Sequence, residues 1–289
     1  MAEIRRVVKV VKSRPTVEGA GVHLHRAIGF GAPETYDPFL LLDDFRSDRP
    51  DQYLAGFPWH PHRGMETITY VLRGEVEHQD SMGNKDVIRP GDVQWMTAGS
   101  GIIHQEMPKG DAQGSIHGFQ LWANLPAANK LMDPRYRGVK SADIPEVTAE
   151  GGAKIKIIAG SAAGVQGPVR DVVTGPEYLD VSLAPGQTLT HKTARGHTVF
   201  AYVIGGKGFF GQGVDDVQRD IGDGHLVAFD DGEAVTVSAK EEPVRFLLIS
   251  GKPVGEPIAW YGPIVMNTQE ELRVAFEELD RGTFVKHRR

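Results

Sequence analysis

The fold of this chain is decided by residues 56–108, which begin with GFPWHPHRGMETITYVLRG and end with GIIHQEMP. Each of these two segments carries a pair of metal-ligand residue types at positions i and i+2: His60 with His62, and His104 with Glu106. Side chains at i and i+2 of a β-strand point to the same face, roughly 7 Å apart. Two such strands facing each other could aim all of these ligands at one point. A bound metal ion is the best reason for gathering them.

The strand between the two pairs adds a further candidate. Residues 66–73 alternate in character, with Glu66, Ile68 and Tyr70 on one side, which indicates a strand with one buried face. If no bulge intervenes, that face carries Glu66 and shares parity with the first histidine pair. We therefore expect the Glu66 carboxylate to lie near the metal ion.

Composition narrows the class of protein. At 289 residues the chain is long for one hydrophobic core, and two domains of about 140 residues are expected. A formal charge of −6 and a pI near 6.0 argue against direct nucleic-acid binding. No apolar run approaches the ~20 residues of a membrane span, so we expect no membrane association. The absence of cysteine excludes thiolate metal sites and fits a cytoplasmic protein.

The second half of the chain repeats the first without its ligands. The interval from His191 to His197 equals that from His60 to Glu66, and both are followed by an apolar strand and a glycine turn. Aligning the two halves on their Gly-Asp turns puts Thr193 in place of His62 and Val235 in place of His104. The 35 glycines and 18 prolines suit many short strands joined by tight turns. A repeated all-β unit of this size predicts a duplicated small barrel.

These patterns predict the domain boundaries. We expect an N-terminal domain with the metal site over residues 1–130, a proline-marked connection over 131–150, and a C-terminal domain over 151–289. Thr268 and Glu271 form a capping box that predicts a final helix at about 268–280, packed against a barrel.

Other candidate residues favour structural roles. We interpret the pair His23 and His25 as exposed or incidentally buried, His78 with Asp80 as surface hydrogen bonding, and His117 as a core histidine. Core packing is the default for four residues that flank the motifs: Trp59, Met65, Trp95 and Met96. A weak second site in the other half would draw on His191, His197 and His225.

The motifs resemble those of a known family. Residues 56–67 resemble the first cupin motif, and residues 91–99 with 104–107 resemble the second. The residues of both motifs are similar to those of the pirin family. Residues 39–45 and 118–126 also resemble pirin segments, and the resemblance extends over nearly the whole chain. It implies an all-β protein of two tandem cupin barrels, each a double-stranded β-helix or jelly roll, with a short C-terminal helix.

The resemblance also implies the metal chemistry. It carries the pirin ligands onto four residues: His60, His62, His104 and Glu106. The metal implied is Fe(II), with Ni, Cu, Mn, Co or Zn as alternatives, and the second barrel is expected to be open and to lack a full ligand set. Cupins in general place a ligand at the position of Glu66, so we expect Glu66 to orient the histidines or to bind directly.

Two functions follow from the family. Some bacterial pirins are similar to quercetin 2,3-dioxygenases, which implies ring opening of a flavonol or related phenol with O2, and Glu106 or Glu66 would then be the general base. Other pirins resemble redox-sensitive regulators, which implies a non-catalytic, iron-binding protein that binds a transcription factor or a metabolic enzyme.

Overall fold

A computed structural model describes residues 2–211 and 220–287, in which 53% of the residues are in β-strands and 9% are helical. They form two compact units. We call Arg14–Ser141 with Val254–Arg289 the N-barrel unit, and Met1–Ser13 with Ala142–Pro253 the C-barrel unit. The predicted all-β class, with two cupin domains and a short C-terminal helix, is confirmed. The units are not the continuous ranges expected from the sequence. The N-terminal segment belongs to the C-barrel unit, and the C-terminal segment belongs to the N-barrel unit.

The chain opens with β1 (Val7–Lys12), a strand of the C-barrel unit. The first strands of the N-barrel unit are β2 (Arg14–Glu18), β3 (Val22–Ile28), β4 (Phe39–Ser47), β5 (Phe57–His62), β6 (Met65–Arg73), β7 (Glu75–Asp80), β8 (Lys85–Ile88), β9 (Val93–Thr97), β10 (Ile102–Lys109), β11 (Ile116–Asn124) and β12 (Arg135–Val139). Short 3₁₀ helices connect some of them at Pro33–Tyr36, Pro50–Gln52, Ala127–Asn129 and Ser141–Asp143.

The C-barrel unit continues with β13 (Glu146–Thr148), β14 (Lys154–Ala159), β15 (Ser161–Ala162), β16 (Val165–Gln166), β17 (Glu177–Leu183), β18 (Thr188–Lys192), β19 (Thr198–Phe210), β20 (Asp220–Gly222), β21 (His225–Phe229), β22 (Ala234–Ser238) and β23 (Val244–Gly251). The chain then returns to the N-barrel unit as β24 (Ala259–Tyr261), β25 (Ile264–Met266) and the helix α1 (Gln269–Asp280).

Two sheets build the N-barrel unit. One has seven strands in the order β12-β9-β6-β11-β4-β3-β2, and the other has four in the order β5-β10-β7-β8. Between them lies a cavity of about 460 Å³ lined by residues of both sheets. The consecutive strands β5 and β6 belong to different sheets, so the chain crosses from one wall of the cavity to the other between His62 and Met65.

Gly64 makes this crossing possible. Its φ of +79° lies in the left-handed region, and a Cβ there would lie 1.9 Å from the backbone oxygen of Val265. Only glycine meets both requirements without displacing the backbone. The alternation of side chains therefore does not continue from β5 into β6.

The C-barrel unit has a filled interior. Apolar side chains from both of its walls form one continuous core: Ile155, Ile157, Leu179, Val181, Leu189, Val199, Val203, Val227, Val235, Val237, Phe246 and Leu248 are among its members. The expectation of an open second barrel is therefore wrong, because large aliphatic and aromatic side chains occupy the space.

Both chain termini add to a unit distant in sequence. Strand β1 pairs antiparallel with β21 in the C-barrel unit, and α1 packs its Leu272 and Ala275 against the β24–β25 hairpin in the N-barrel unit. The predicted capping box is present, with Thr268 Oγ1 accepting from Glu271 N at 3.2 Å. Within residues 2–211 and 220–287, no helix has the length and apolar character needed to cross a bilayer.

Candidate metal centre

Strands β5 and β10 bring the two predicted residue pairs together. They run antiparallel, with His60 directly opposite His104 and His62 opposite Ile102. The register shifts between His104 and Glu106, where a β-bulge gives β5 one residue more than β10, because His104 pairs with His60 and Glu106 pairs with Phe57. The four predicted ligands thus lie on one small sheet, and His60, His62 and Glu106 line the cavity.

Three imidazole rings converge there. His60 Nε2 lies 3.0 Å from His62 Nε2 and 2.9 Å from His104 Nε2. His104 is fully buried, and burial lowers the pKa of all three imidazoles, for His62 and His104 well below the usual value. The rings are therefore neutral at pH 7, which is the state in which histidine binds a metal.

The hydrogen bonds of two of these rings decide where their lone pairs point. His60 Nδ1 lies 2.9 Å from the oxygen of Pro58, and His62 Nδ1 lies 3.1 Å from the oxygen of Pro263. A carbonyl oxygen can only accept, so each Nδ1 carries the proton and each Nε2 presents a bare lone pair. Two lone pairs 3.0 Å apart cannot form a hydrogen bond. A divalent cation between them resolves the conflict, so the donor set fits a metal ion.

Glu106 supplies a carboxylate beside the rings. One of its oxygens, a nitrogen of His104 and a nitrogen of His78 all lie within 4.8 Å of one another. Thr69 Oγ1 donates to Glu106 Oε1 at 2.8 Å, and Gln94 Nε2 donates to the same oxygen at 3.3 Å. These two donors from the opposite sheet fix the orientation of the carboxylate. Imidazole and carboxylate together suit a divalent transition metal.

His78 is part of this cluster, and its predicted surface position is wrong. It is buried on β7, which pairs with β10 and so places His78 opposite Glu106. Its Nδ1 lies 3.4 Å from His104 Nδ1, and its Nε2 lies 3.3 Å from Asp80 Oδ2. Tyr136 stacks on the ring with centroids 4.8 Å apart. His78 therefore contacts the Nδ1 side of the His104 ring, whereas Nε2 of that ring faces His60.

Glu66 has other partners than the metal cluster. On β6 it lies an odd number of residues from Thr69, so it faces away from the side that contacts Glu106. Its Oε1 accepts from Thr97 Oγ1 at 2.6 Å, and burial raises the pKa of the Glu66 carboxyl. Glu66 does not share a face with His60 and His62, as its parity predicted, because β5 and β6 lie in different sheets. A catalytic part for Glu66 stays a prediction, one that this position does not favour.

The cavity next to the cluster is mainly apolar. Its wall contains Leu24, Leu41, Phe45, Phe57 and Trp122 as well as His60, His62 and Glu106. Its volume of about 460 Å³ is in the range of small-molecule sites. None of the four flanking residues interpreted as core lines it: Met65, Trp95 and Met96 are buried elsewhere, and Trp59 is 52% exposed, which corrects the interpretation of Trp59.

Comparison with known proteins agrees with this architecture. The family model described as Pirin matches residues 21–123, and the model described as Pirin C-terminal cupin domain matches residues 178–285. The chain belongs to the pirin family. It is 42% identical over 286 residues to a Pseudomonas aeruginosa protein provisionally named a quercetin 2,3-dioxygenase, with 98% of this chain and 99% of that protein covered.

Two further pirin-family comparisons span nearly the whole chain. Human pirin is 40% identical over 278 residues, covering 95% of this chain and 92% of the human protein. A solved structure titled quercetin 2,3-dioxygenase from Acinetobacter baumannii superimposes with a TM-score of 0.87 at 31% identity, covering 98% of this chain and 99% of that one. The pirin-type cupin fold is thus shared over its full length.

The C-barrel unit repeats the strand pairing of the N-barrel site but has other residues at the ligand positions. In the C-barrel unit His191 lies directly opposite Val235 on β18 and β22, as His60 lies opposite His104 in the N-barrel unit. His191 Nε2 contacts Glu177 Oε2 at 3.0 Å, and His225 Nδ1 donates to the oxygen of Gly222 at 2.8 Å. Across the described part of the chain, two groups of side chains are close enough to share a metal ion, and both belong to the N-barrel unit. They are His60 with His62 and His104, and His78 with His104 and Glu106.

The C-terminal segment of the chain supplies groups that sequence reasoning missed. Gly262 and Pro263, between β24 and β25, line the cavity, and the Pro263 oxygen orients His62. Arg63 holds this segment in place by donating to Glu278 at 2.7 Å and to the oxygen of Phe284 at 3.0 Å. No local motif marks these residues, because their contribution is backbone oxygen and packing.

Proposed function

We propose that the chain is a metal-dependent dioxygenase that opens the ring of a flavonol or a related phenol with O2. The metal would be held by His60, His62, His104 and Glu106, with Fe(II) as the first choice. The observation that carries this proposal is the convergence of neutral imidazole lone pairs at the wall of an apolar cavity. The relatives named as quercetin 2,3-dioxygenases support the reaction class.

Each residue that lines the proposed site has a separate role in the reaction. A bound divalent ion would act as a Lewis acid toward the deprotonated hydroxyl of the substrate. Glu106 Oε accepts the proton of that hydroxyl, and the Thr69 hydroxyl holds the carboxylate in the direction needed for the transfer. Trp122 and Phe45 bind the planar rings and exclude water from the cavity. Trp122 also packs edge-on against His62 from the opposite sheet, with ring centroids 5.2 Å apart, so a substrate ring bound by Trp122 would lie next to this ligand.

The proposed ligands would leave coordination positions of the metal ion open for substrate and O2. Three imidazoles and one carboxylate fill at most four positions of an octahedral ion and leave two open, as a dioxygenase requires. The absence of cysteine makes the site independent of thiol oxidation and is the reason for proposing a cytoplasmic location.

The test is O2 uptake by protein reloaded with Fe(II) under nitrogen and then mixed with quercetin. We expect O2 consumption in the wild type, its loss in Glu106→Gln, and its retention in the matched control Glu66→Gln. Circular dichroism checks that both variants fold. If wild-type protein holds iron and binds quercetin but consumes no O2, the dioxygenase proposal is refuted and a metal-dependent binding role takes its place. Loss of uptake in Glu66→Gln alone would transfer the proton-accepting role to Glu66.

A further inference from the structure

A row of polar side chains crosses the cavity face of the seven-stranded sheet. Thr69, Gln120, Asp43 and Arg26 lie on the adjacent strands β6, β11, β4 and β3. Each is the direct cross-strand partner of the next. All of these residues line the cavity, so they form one continuous line on its inner wall.

The rows on either side are apolar. Two residues along β4 from Asp43 lie Leu41 in one direction and Phe45 in the other. Leu41 is opposite Trp122, and Phe45 is opposite Gly118, where a Cβ would lie 2.4 Å from the Phe45 ring. A planar ring lying on this wall would therefore contact carbon on both sides of one polar line.

The two ends of the row differ in chemistry. At one end Thr69 donates to Glu106, which places this end at the metal cluster. At the other end Arg26 Nε and Nη2 donate to the two carboxylate oxygens of Asp43 at 2.8 and 2.7 Å, and Arg26 Nη1 donates to Glu18 at 2.7 Å. Neighbouring strands are about 4.8 Å apart, so Asp43 lies roughly 10 Å from Thr69 across two strand intervals.

The far end favours hydrogen-bond donors over anions. One guanidinium faces two carboxylates there, Asp43 and Glu18, which leaves a formal charge of −1. Burial raises the pKa of Asp43 to about 6, so the carboxylate is ionised at pH 7. Each of its oxygens accepts one bond from Arg26 and keeps a second lone pair. A ligand carboxylate would be repelled at this end, whereas a neutral hydroxyl would find an acceptor.

A stabilising role alone is a weak explanation of this pair. Replacing a buried ion pair by an apolar pair of similar volume is often neutral or stabilising. The pair also differs from its neighbour Asp44, which points to the opposite face of β4 and pairs with Arg46 and His117 outside the cavity. Asp43 is therefore available to a ligand, and Asp44 is not.

We propose that Asp43, held in place by Arg26, is a specificity residue that accepts hydrogen bonds from phenolic hydroxyls at the end of the substrate remote from the metal cluster. The substrate class is a planar polyphenol with hydroxyl groups at both ends, about 10 Å apart. This inference rests on the proposed function, because the cluster fixes which end of the substrate is near the metal.

The test compares two flavonols that differ only at the remote ring. One carries the 3′,4′-dihydroxyphenyl ring, and the other carries an unsubstituted phenyl ring. Their Kd values are measured by titration calorimetry on Fe(II)-loaded protein under nitrogen, so that no turnover occurs. A hydrogen bond to a charged acceptor favours the dihydroxy ligand by about tenfold to a hundredfold in the wild type.

Two variants locate the preference. In Asp43→Asn we expect it to fall to within a factor of about three, while the matched control Asp44→Asn keeps it. Equal affinity of the wild type for the two ligands overturns the inference, as does failure to bind either, and these results need no variant. Full preference retained in Asp43→Asn also overturns it. Since no O2 is present, a ligand preference without later O2 uptake would refute the dioxygenase alone, and O2 uptake without a preference would refute the role of Asp43 alone.

Discussion

Replacing Lys130 by methionine gives a stability change whose pH dependence can be calculated. The Lys130 ammonium is buried and donates to the Gly64 oxygen at 3.0 Å and to Asn124 Oδ1 at 2.6 Å. It therefore supports the turn that carries the chain from β5 to β6. Burial lowers the pKa of Lys130 from 10.5 to about 8, against the attraction of nearby carboxylates.

The sign follows from proton binding. Between pH 8 and 10.5 the unfolded chain binds the Lys130 proton more tightly than the folded chain does, so stability rises with pH in this window. The full change is the pKa difference multiplied by 1.36 kcal/mol, or about 3 kcal/mol. Below pH 8 the lysine is charged in both states, and its contribution is constant.

The assay is urea unfolding of wild type and Lys130→Met at several pH values from 7 to 10.5 and constant ionic strength. We expect the unfolding free energy of the wild type minus that of the variant to rise by up to about 3 kcal/mol across the window. The exposed Lys85→Met serves as the matched control and should give a flat difference. A flat difference for Lys130→Met as well would refute the reasoning.

Other predictions concern the metal cluster. Thr69→Val removes the hydroxyl that orients Glu106 and should weaken Fe(II) affinity about tenfold in a chelator competition assay without changing the fold; unchanged affinity would contradict this. His78→Phe keeps the stacked ring but removes the nitrogen facing His104, and should weaken affinity by about tenfold to a hundredfold, whereas wild-type affinity would show that His78 only packs. Removing the metal with a chelator should lower the Tm of the wild type, since a ligand at a hundred times its Kd stabilises by about 2.7 kcal/mol, and should leave His62→Ala unchanged.

The ligand pairs could be predicted from the sequence because they are local. His60 and His62 share a face by strand geometry alone. Aligning the two halves of the sequence put Val235 in place of His104, and the structure pairs Val235 with His191. The pirin resemblance then gave the fold, since its motifs lie on the strands that build the cavity.

The rest depends on long-range contacts that local patterns do not encode. The position of Glu66 depends on the Gly64 turn, which moves the chain to another sheet and breaks the alternation. The burial of His78 depends on pairing between β7 and β10, and the orientation of His62 depends on Pro263, some two hundred residues away in sequence. Such contacts follow from the whole topology.

The central claim is a metal centre built by the N-barrel histidines, and iron content tests it most directly. Metal-stripped protein is reloaded with Fe(II) under nitrogen and desalted, and iron per chain is measured by mass spectrometry. We expect about one iron per chain in the wild type and in the C-barrel control His191→Ala, and almost none in a variant carrying both His62→Ala and His104→Ala. Full iron in that double variant, or none in folded wild-type protein, would contradict it.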